Sequence, residues 1–240
     1  MRPYLVKMPK LVKWLFPQRV WALPNTANTV YLTFDDGPIP EVTPWVLEEL
    51  KKHQAKATFF CIGDNMRKHP EIFKRILDEG HAVGNHTFNH LNGWKTETSE
   101  YIENVMKAEA GSREYEVGST KWEVRSGKHE AGRRESSGDL ILDINHSTFL
   151  FRPPYGKLTG KQSKLLQKKG YKIIMWDVLS ADYDSKVSKK QCLNNVLKHL
   201  KPGSIVVFHD SLKAEKNLRY VLPKVLEYIN NKNWKCESIE

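Results

Sequence analysis

The sequence predicts an α/β fold with a parallel sheet covered by helices. Short β-branched or aromatic runs alternate about seven times with longer amphipathic runs, a rhythm typical of parallel sheets. Two helical patterns end in a glycine, Gly80 and Gly170, directly before the next strand. Glycine is favoured at this C-cap position. A closed barrel and a doubly wound sheet both satisfy this pattern, which does not choose between them.

The strands and helices can be placed from these runs. We predict seven strands, at Val30–Phe34, Ala57–Ile62, His81–Gly84, Thr148–Phe151, Tyr171–Trp176, Ser204–Phe208 and Trp234–Ser238. We predict six helices between them, at about 41–53, 65–79, 97–109, 160–169, 188–200 and 216–231. The first helix has Thr43 as its predicted N-cap and Pro44 at the first helical position. Its apolar residues Trp45, Val46 and Leu50 share one face.

Composition indicates a soluble globular chain. The 240 residues include 40% apolar and 28% charged side chains, with a net charge of +10. A basic surface can attract nucleic acid, anionic cell-wall polymers or acidic membranes, although a merely solvated surface is the simpler interpretation. No nucleic-acid-reading helix or aromatic-basic array is recognisable, so no nucleic-acid partner is expected. Cys61, Cys192 and Cys236 form no CxxC motif and indicate no disulfide framework.

Residues 1–28 are predicted to be an N-terminal extension packed on a domain formed by residues 29–240. Lys7, Lys10, Lys13 and Pro17 interrupt the apolar residues, so neither a signal peptide nor a transmembrane segment is expected. The segment "MPKLVKWLF" is basic and amphipathic, and weak contact with a membrane surface is the alternative to packing. The compartment, cytoplasmic or cell-envelope associated, and the oligomeric state stay open.

Residues 111–147 interrupt the alternation. They are polar, rich in Gly and Ser, and carry both charge signs. A loop this long is uncommon inside a compact domain, so we expect a surface insertion, with a hairpin around Tyr115–Val124 or partial disorder. The cluster Arg125, Lys128, Arg133 and Arg134 could contact an anionic glycan, and a solvated loop is the alternative.

Polar groups collect where the predicted strands end. Five of the seven strands end in such residues, in the segments "FDD", "NHTFNH", "RPPYG", "WDVLSADYD" and "FHD". Parallel sheets gather functional residues at the carboxyl ends of their strands. The doublet Asp35-Asp36 places two like charges at the end of an apolar run, which a simple turn does not explain.

His86 and His90 suggest a metal site beside this doublet. On a helical turn, residues at i and i+4 would project both imidazoles to the same side. Two neutral imidazoles and one carboxylate suit Zn²⁺ or a similar divalent ion, with positions left for water and substrate. One aspartate could then ligate the ion while its neighbour accepts a proton from the activated water.

Three further strand ends offer supporting groups. His209 could donate a proton to a leaving group, and a structural histidine beside Asp210 is the alternative. Arg152 could pair with a carboxylate and hold it ionised. The two prolines before Tyr155 stiffen a loop that could direct a backbone N–H at a developing oxyanion.

Taken in order, "TFDDGP", "HTFNH", "RPPYG", "DVLSADYD" and "VVFHD" resemble the motifs of the polysaccharide deacetylases, the NodB-homology enzymes of carbohydrate esterase family 4. The resemblance covers about Thr29 to the C-terminus and is interrupted at 111–147. It implies a distorted (β/α)7-type barrel and a metal-dependent hydrolase. Members of the family remove acetyl groups from N-acetylglucosamine units of peptidoglycan, chitin or related glycans, or from acetylated xylan.

The resemblance also implies roles for the residues at matching positions. Asp35 would be the general base, and Asp36, His86 and His90 would hold one divalent ion. Zn²⁺ is expected first, with Co²⁺, Ni²⁺ or Mn²⁺ as alternatives. The remaining implied roles are Arg152 as tether of the base, Tyr155 as oxyanion donor through its N–H, Asp182 as the residue that orients Arg152, and His209 as the general acid.

Two positions depart from the family pattern. Tyr183 stands where many members have Trp, and Val207 stands where Leu is usual. Both keep an aromatic or apolar character, so they leave open the shape of the acetyl pocket rather than the chemistry. Trp176 could form a wall of that pocket, and core packing is the alternative.

From these observations we predict an N-deacetylase that acts on a glycan containing N-acetylglucosamine, such as peptidoglycan or a chitooligosaccharide. An O-deacetylase acting on acetylated xylan and a non-catalytic carbohydrate-binding pseudoenzyme are the alternatives. A competent residue fills each implied catalytic position, which argues against the pseudoenzyme.

Overall fold

The structure is a computed structural model that describes residues 5–25, 27–119 and 150–240, without the side chains of 111–119. The strands are β1 Thr29–Asp35, β2 Thr58–Cys61, β3 Ala82–Asn85, β4 Leu150–Phe151, β5 Lys172–Ile173, β6 Val178–Leu179, β7 Ile205–His209 and β8 Lys235–Cys236. The helices are α1 Lys10–Leu15, α2 Thr43–Lys52, α3 Gly63–Lys68, α4 Pro70–Asp78, α5 Thr98–Ser119, α6 Gly160–Lys168, α7 Lys189–Leu197 and α8 Glu215–Asn231, and a 3₁₀ turn spans Pro154–Gly156.

The strands form one sheet in the order β5-β4-β3-β2-β1-β7-β6, and β8 adds a short pairing to β1. All these pairings are parallel. The sheet curves into a half-barrel surrounded by helices, so the predicted α/β fold with its distorted barrel is confirmed. The central position of β1 brings its carboxyl end beside those of β2 and β7.

Side chains of β1 point alternately into the hydrophobic core and toward the inside of the half-barrel. Val30, Leu32 and Phe34 are fully buried in the largest hydrophobic cluster, together with residues of α2 and α8. Phe34 stacks on Phe59 and Phe208, with ring centroids 5.1 and 5.8 Å away. Successive side chains of a strand point to opposite faces, so Asp35 faces away from this cluster.

Some predicted elements differ in the structure. The helix predicted at 65–79 is divided at His69 into α3 and α4, because Pro70 lacks the N–H that a continuous helix requires. The strand predicted at Tyr171–Trp176 is shortened to β5. Strand β6 was missed because its two residues lie inside the polar segment "WDVLSADYD". The predicted N-cap Thr43 is instead the first residue of α2.

Two further differences concern the ends of the described chain. Helix α1 was not predicted, because its six residues are short for a helical pattern. Helix α5 continues to Ser119, so the hairpin predicted around 115–124 is wrong for residues 115–119. The rest of the predicted insertion at 111–147, including its arginine cluster, lies outside the described residues.

The N-terminal segment runs between the two edges of the half-barrel. Lys7 forms an antiparallel bridge with Val178 of the edge strand β6, and Val20 forms a parallel bridge with Ile174 next to β5. The buried carboxylate of Asp177 forms ion pairs with both Lys7 and Lys13. Within the described part of the chain, no helix combines the length and apolarity needed to span a bilayer.

Candidate active site

The sheet register brings the predicted site residues to one edge. Asp35 is the last residue of β1 and pairs in register with His209, the last residue of β7. Residues in register on neighbouring parallel strands point to the same face, so these two side chains lie side by side. Asn85 ends β3, and the loop with both predicted histidine ligands follows it.

Asp36, His86 and His90 converge. Oδ1 of Asp36 lies 3.2 Å from Nε2 of His90 and 3.7 Å from Nε2 of His86. The three potential ligand atoms all lie within 4.8 Å of one another. Oδ1 of Asp36 is also buried with no hydrogen-bond partner among the described residues, a costly arrangement that a cation would relieve. Two imidazole nitrogens and a carboxylate oxygen therefore fit a divalent ion such as Zn²⁺.

The two histidines converge through a loop and not through a helical turn. Thr87 and His90 have φ values of 64° and 55°, in the left-handed region. The side chain of Asn85 stabilises this path by accepting a hydrogen bond of 2.8 Å from the Thr87 N–H. The helical argument for the HxxxH spacing was therefore wrong, although both imidazoles do face Asp36.

Each imidazole is oriented through its other nitrogen. Nδ1 of His86 donates to the Arg152 carbonyl at 2.8 Å, which leaves the lone pair on Nε2 facing Asp36. Nδ1 of His90 lies 3.1 Å from the Tyr155 hydroxyl, and the two rings pack with centroids 4.6 Å apart. Such outer contacts are typical of histidines that ligate metals.

Arg152 holds the Asp35 carboxylate. It is fully buried, and its Nη1 donates to Oδ1 of Asp35 at 2.7 Å and to the Thr33 hydroxyl at 2.6 Å. Its Nε and Nη2 donate to the carbonyls of Ile174 and Met175, at 3.2 and 2.9 Å. The guanidinium is thus fixed by two side chains and two carbonyls, in the tethering arrangement implied for Asp35.

Asp182 contacts His209 and not Arg152. Its Oδ2 accepts the His209 backbone N–H, and its Oδ1 accepts Nδ1–H of the same histidine, both at 2.8 Å. Ser180 donates its hydroxyl to Oδ1 at 3.0 Å, and Asn217 donates to the Asp182 carbonyl at 3.0 Å. The implied role of Asp182 in orienting Arg152 is therefore wrong, because both its carboxylate oxygens are directed at the histidine.

These contacts set the charges of the site. Burial alone would lower the pKa of His209, but the Asp182 carboxylate raises it to about 9, which favours the imidazolium at neutral pH. Burial lowers the pKa of His86 to about 4, so its lone pair is free for a cation. Burial opposes ionisation of Asp36, yet the imidazole of His90 holds the pKa of this carboxyl well below its usual value.

The three predicted pocket residues lie in one apolar cluster beside His209. Val207 is buried there, with Trp176 and Tyr183 packed around it. The rings of Tyr183 and His209 meet edge to face, with centroids 4.8 Å apart. The Trp176 indole packs so closely on Gly156 that a Cβ there would lie 2.7 Å from its ring. Within the part of the chain that the structure describes, the buried Nε1 of Trp176 has no hydrogen-bond partner.

Three contributors were missed from the sequence. Thr33 could have been predicted, because side chains alternate along β1 and Thr33 therefore shares a face with Asp35. Asn65 donates to the Asp36 carbonyl at 2.7 Å and supports that residue at a φ of 85°, but nothing in the sequence connects the two. Asp210 accepts the Gly37 N–H at 3.0 Å and the Thr43 hydroxyl at 2.6 Å, beneath the aspartate doublet.

Comparisons with known proteins agree with this geometry. A family model described as polysaccharide deacetylase matches residues 22–132. A peptidoglycan-N-acetylglucosamine deacetylase of Bacillus cereus is 35% identical over 190 residues, which are 78% of this chain and 58% of that relative. A second Bacillus cereus protein of the same name is 30% identical over 220 residues, which are 91% of this chain and 90% of the relative.

The architecture agrees as well. A crystal structure of a peptidoglycan N-acetylglucosamine deacetylase in complex with 4-naphthalen-1-yl-N-oxidanyl-benzamide matches with a TM-score of 0.77 at 30% identity. The match covers 97% of this chain and 95% of that one. Sequence similarity along nearly the whole of one relative, joined to this shared half-barrel, shows that the chain belongs to the polysaccharide deacetylase family.

Proposed function

We propose that this protein is a metal-dependent hydrolase that removes N-acetyl groups from N-acetylglucosamine units of a glycan. The observation that carries the proposal is the convergence of Asp36, His86 and His90 next to the Asp35–Arg152 pair. Peptidoglycan is the substrate class that the names of the relatives favour, and chitooligosaccharide is the alternative that the sequence motifs leave open.

Asp36, His86 and His90 would hold the ion. A divalent ion held there would supply Lewis-acid chemistry, polarising the acetyl carbonyl and lowering the pKa of the attacking water. Asp35 accepts the proton of that water, because its carboxylate faces the inside of the half-barrel beside the ligands. The buried guanidinium of Arg152 forms an ion pair of 2.7 Å with this base and fixes its orientation.

His209 donates a proton to the departing amine nitrogen. Its ion pair with Asp182 favours the protonated imidazole and fixes the ring with Nδ1 on the carboxylate, so Nε2 carries the proton to be transferred. The pairing of His209 with Asp35 in the register of β1 and β7 supports this role. Base and acid thus stand on neighbouring strands, so both can act at one tetrahedral centre.

The acetyl group would lie between the 3₁₀ turn and the apolar cluster. Tyr155 has a φ of 60°, and two prolines precede it, so its backbone N–H belongs to a stiff loop that could bind the oxyanion. Trp176, Tyr183 and Val207 offer an apolar wall for the methyl group. The close packing of Trp176 on Gly156 connects the two sides of this pocket.

One experiment separates the proposed activity from its alternatives. Purified protein with its metal content determined is incubated with peptidoglycan, chitooligosaccharides and acetylated xylan, and released acetate and new amino groups are both measured. We expect about one divalent ion per chain, and acetate with an equal amount of amine from an N-acetylated glycan. Acetate from xylan without amine would indicate an O-deacetylase. Glycan binding by the loaded protein without acetate would indicate a pseudoenzyme.

A matched variant links the activity to the proposed cluster. His86→Ala removes one ligand but leaves Asp35, Arg152 and His209 in place. We expect it to lose both the ion and acetate release. A variant with the metal content and turnover of the wild type would contradict the assigned ligand set.

A further inference from the structure

We infer that the N-terminal helix α1 and its flanking residues bind the surface of an anionic lipid bilayer. Among the described residues, five of the eight exposed large hydrophobic side chains fall within this short stretch. They are Leu5, Leu11, Trp14, Leu15 and Phe16, with exposed fractions of 59, 64, 74, 53 and 38%. We call these five residues the apolar face. This inference does not depend on the proposed catalytic function.

The contacts of α1 direct this face outward. Met8 and Val12 pack against a hydrophobic core cluster of the domain. Lys7 and Lys13 reach inward to the buried Asp177 carboxylate. A surface helix usually buries its largest apolar residues. In α1 itself only Val12 and Lys13 make these inward contacts, and Trp14 stays in solvent.

The end of α1 is fixed in the same orientation. The Phe16 carbonyl accepts the indole N–H of Trp21 at 3.1 Å, and the Arg19 guanidinium lies 4.6 Å above the centre of the Phe16 ring. Arg19 also donates to the Leu158 carbonyl at 3.3 Å. The apolar face is therefore held ready for a partner, which reduces the entropy lost on binding.

Positive charge next to the apolar face indicates an anionic partner. Gln167 of α6 donates its side-chain amide to the Gln18 carbonyl at 3.0 Å, so α6 lies against the residues that follow α1. Five exposed lysines belong to α6 and the chain that follows it: Lys161, Lys164, Lys168, Lys169 and Lys172. The first three share one helix face by their spacing, and residues 152–176 contain no Asp or Glu.

Apolar and aromatic side chains bordered by lysines match the requirements of an anionic bilayer surface. Leucine and phenylalanine can enter the headgroup boundary, tryptophan favours it, and each nearby lysine adds attraction to anionic lipids. A second copy of the chain would bring the lysine-rich surfaces of both copies close together, where like charges repel. A hydrated glycan would leave the aliphatic side chains without an apolar environment.

The test is co-sedimentation of the full chain with phosphatidylcholine vesicles, prepared with and without phosphatidylglycerol, at about physiological salt. We expect binding to the anionic vesicles only. Replacing Trp14 and Leu15 together by Ser should weaken binding at least about tenfold, because both side chains lose their burial in the headgroup region. Trp94→Ser, at a Trp that is 65% exposed elsewhere, is the matched control and should bind like the wild type.

The charge contribution is tested separately. Lys164→Glu with Lys168→Glu should weaken binding about tenfold or more, since each lysine contributes to the attraction. Lys51→Glu with Lys216→Glu makes the same change of net charge on α2 and α8 and should have little effect. The inference is overturned if the wild type does not bind anionic vesicles, or if binding survives the loss of Trp14 and Leu15. Concentration-dependent dimers that disappear when Trp14 and Leu15 are replaced would assign the apolar face to a second copy. That result would also overturn the inference.

Discussion

At the scale of single residues, two adjacent carboxylates acquire different environments through backbone conformation. Asp35 completes the extended strand β1, whereas Asp36 has a φ of 85°. The chain therefore turns between them, and each carboxylate faces its own partners. Arg152 faces the first, and the histidines face the second. This divergence would allow the proposed base and the proposed metal ligand to occupy consecutive positions.

The first prediction tests this division. Asp35→Asn should keep the metal but lower turnover by roughly 10²–10⁴-fold or more, because an amide cannot accept the proton of water. Asp36→Asn should lose both metal and turnover, because it removes a charged ligand. Metal analysis and acetate release on the same samples check both results. A metal-free Asp35→Asn protein would show that the two roles are reversed.

The second prediction concerns the newly recognised pair of His209 and Asp182. The Asp182 carboxylate stabilises the imidazolium, so Asp182→Asn should lower the pKa of His209 from about 9 toward its ordinary value. A general acid must be protonated, so the alkaline limb of kcat/KM should move to lower pH. The pH profile of Asp184→Asn, which removes a carboxylate two residues away, is the control. An unchanged alkaline limb in Asp182→Asn would remove His209 from the acid role.

The third prediction concerns the buried carboxyl of Asp210. Burial raises its pKa to about 8 from 3.8, with the charge of Asp36 adding to the shift. Between these two pKa values the folded state holds a proton that the unfolded state releases. The protonated carboxyl therefore contributes stability that is fully present below about pH 4 and declines as the pH rises toward 8. Asp210→Asn stays neutral, so its free energy of unfolding relative to the wild type should increase over this range. Urea denaturation of the metal-free proteins at several pH values measures the difference, and parallel pH curves would contradict it.

Residue types at the strand ends could be predicted from the sequence, but several contacts could not. The carboxylates, histidines and arginine follow apolar runs, and the parallel sheet brings such positions together. The partner of Asp182 depends on how the loop after β6 folds back over β7, and β6 has only two residues. The support that Asn65 gives to Asp36 spans two different loops, which no local pattern records.

At the scale of elements, short strands and proline-divided helices limited the prediction. Long amphipathic patterns gave α2, α6, α7 and α8 close to their observed positions, because burial of one face determines a helix. Strands β4, β5 and β6 have two residues each and depend on their neighbours rather than on their own composition. Helix α1 depends in the same way on contacts with the domain, among them the ion pair of Lys13 with Asp177.

The fourth prediction belongs to helix α6. Thr159 and Gln162 form a capping box, with the Gln162 N–H donating to the Thr159 hydroxyl and the Thr159 N–H donating to the Gln162 side chain. The Gln162 amide also donates to the carbonyls of Gly93 and Thr96, so it ties the loop after the histidines to α6. Thr159→Ala should lower the free energy of unfolding by about 0.5–2 kcal/mol, the usual cost of a lost cap.

Thr159→Ser keeps a hydroxyl at the cap and serves as the matched control. Its unfolding curve should resemble that of the wild type, because serine is at least as good a cap as threonine. Chemical denaturation of both variants measures the difference. Equal destabilisation by Ala and Ser would attribute the effect to the lost methyl group and not to the cap.

At the scale of the whole molecule, a segment outside the predicted catalytic domain contacts both edges of the half-barrel. Strands β5 and β6 are the two ends of the sheet, and unpaired edges invite association with other chains. Lys7 pairs with β6, and Val20 pairs next to β5, so residues 7–20 connect the two edges. The Leu179 N–H donates to the Val6 carbonyl at 2.8 Å, and the Met8 N–H donates to the Asp177 carbonyl at 3.0 Å.

The last prediction tests what holds this segment in place. Burial opposes ionisation of Asp177, but Lys13 and Lys7 lower its pKa below its usual value. A lowered folded-state pKa contributes stability above the ordinary value near 4, and this contribution is lost as the pH falls through the folded-state pKa.

Asp177→Asn removes the charge at every pH, so the amides of Met8 and Leu179 should exchange hydrogen faster, while Tyr31 in the central strand keeps its protection. Asp78→Asn, which breaks an ion pair exposed on both sides, should change none of these amides. Equal protection of Met8 in Asp177→Asn and the wild type would show that backbone pairing alone holds the segment, because the ion pairs would then contribute nothing measurable.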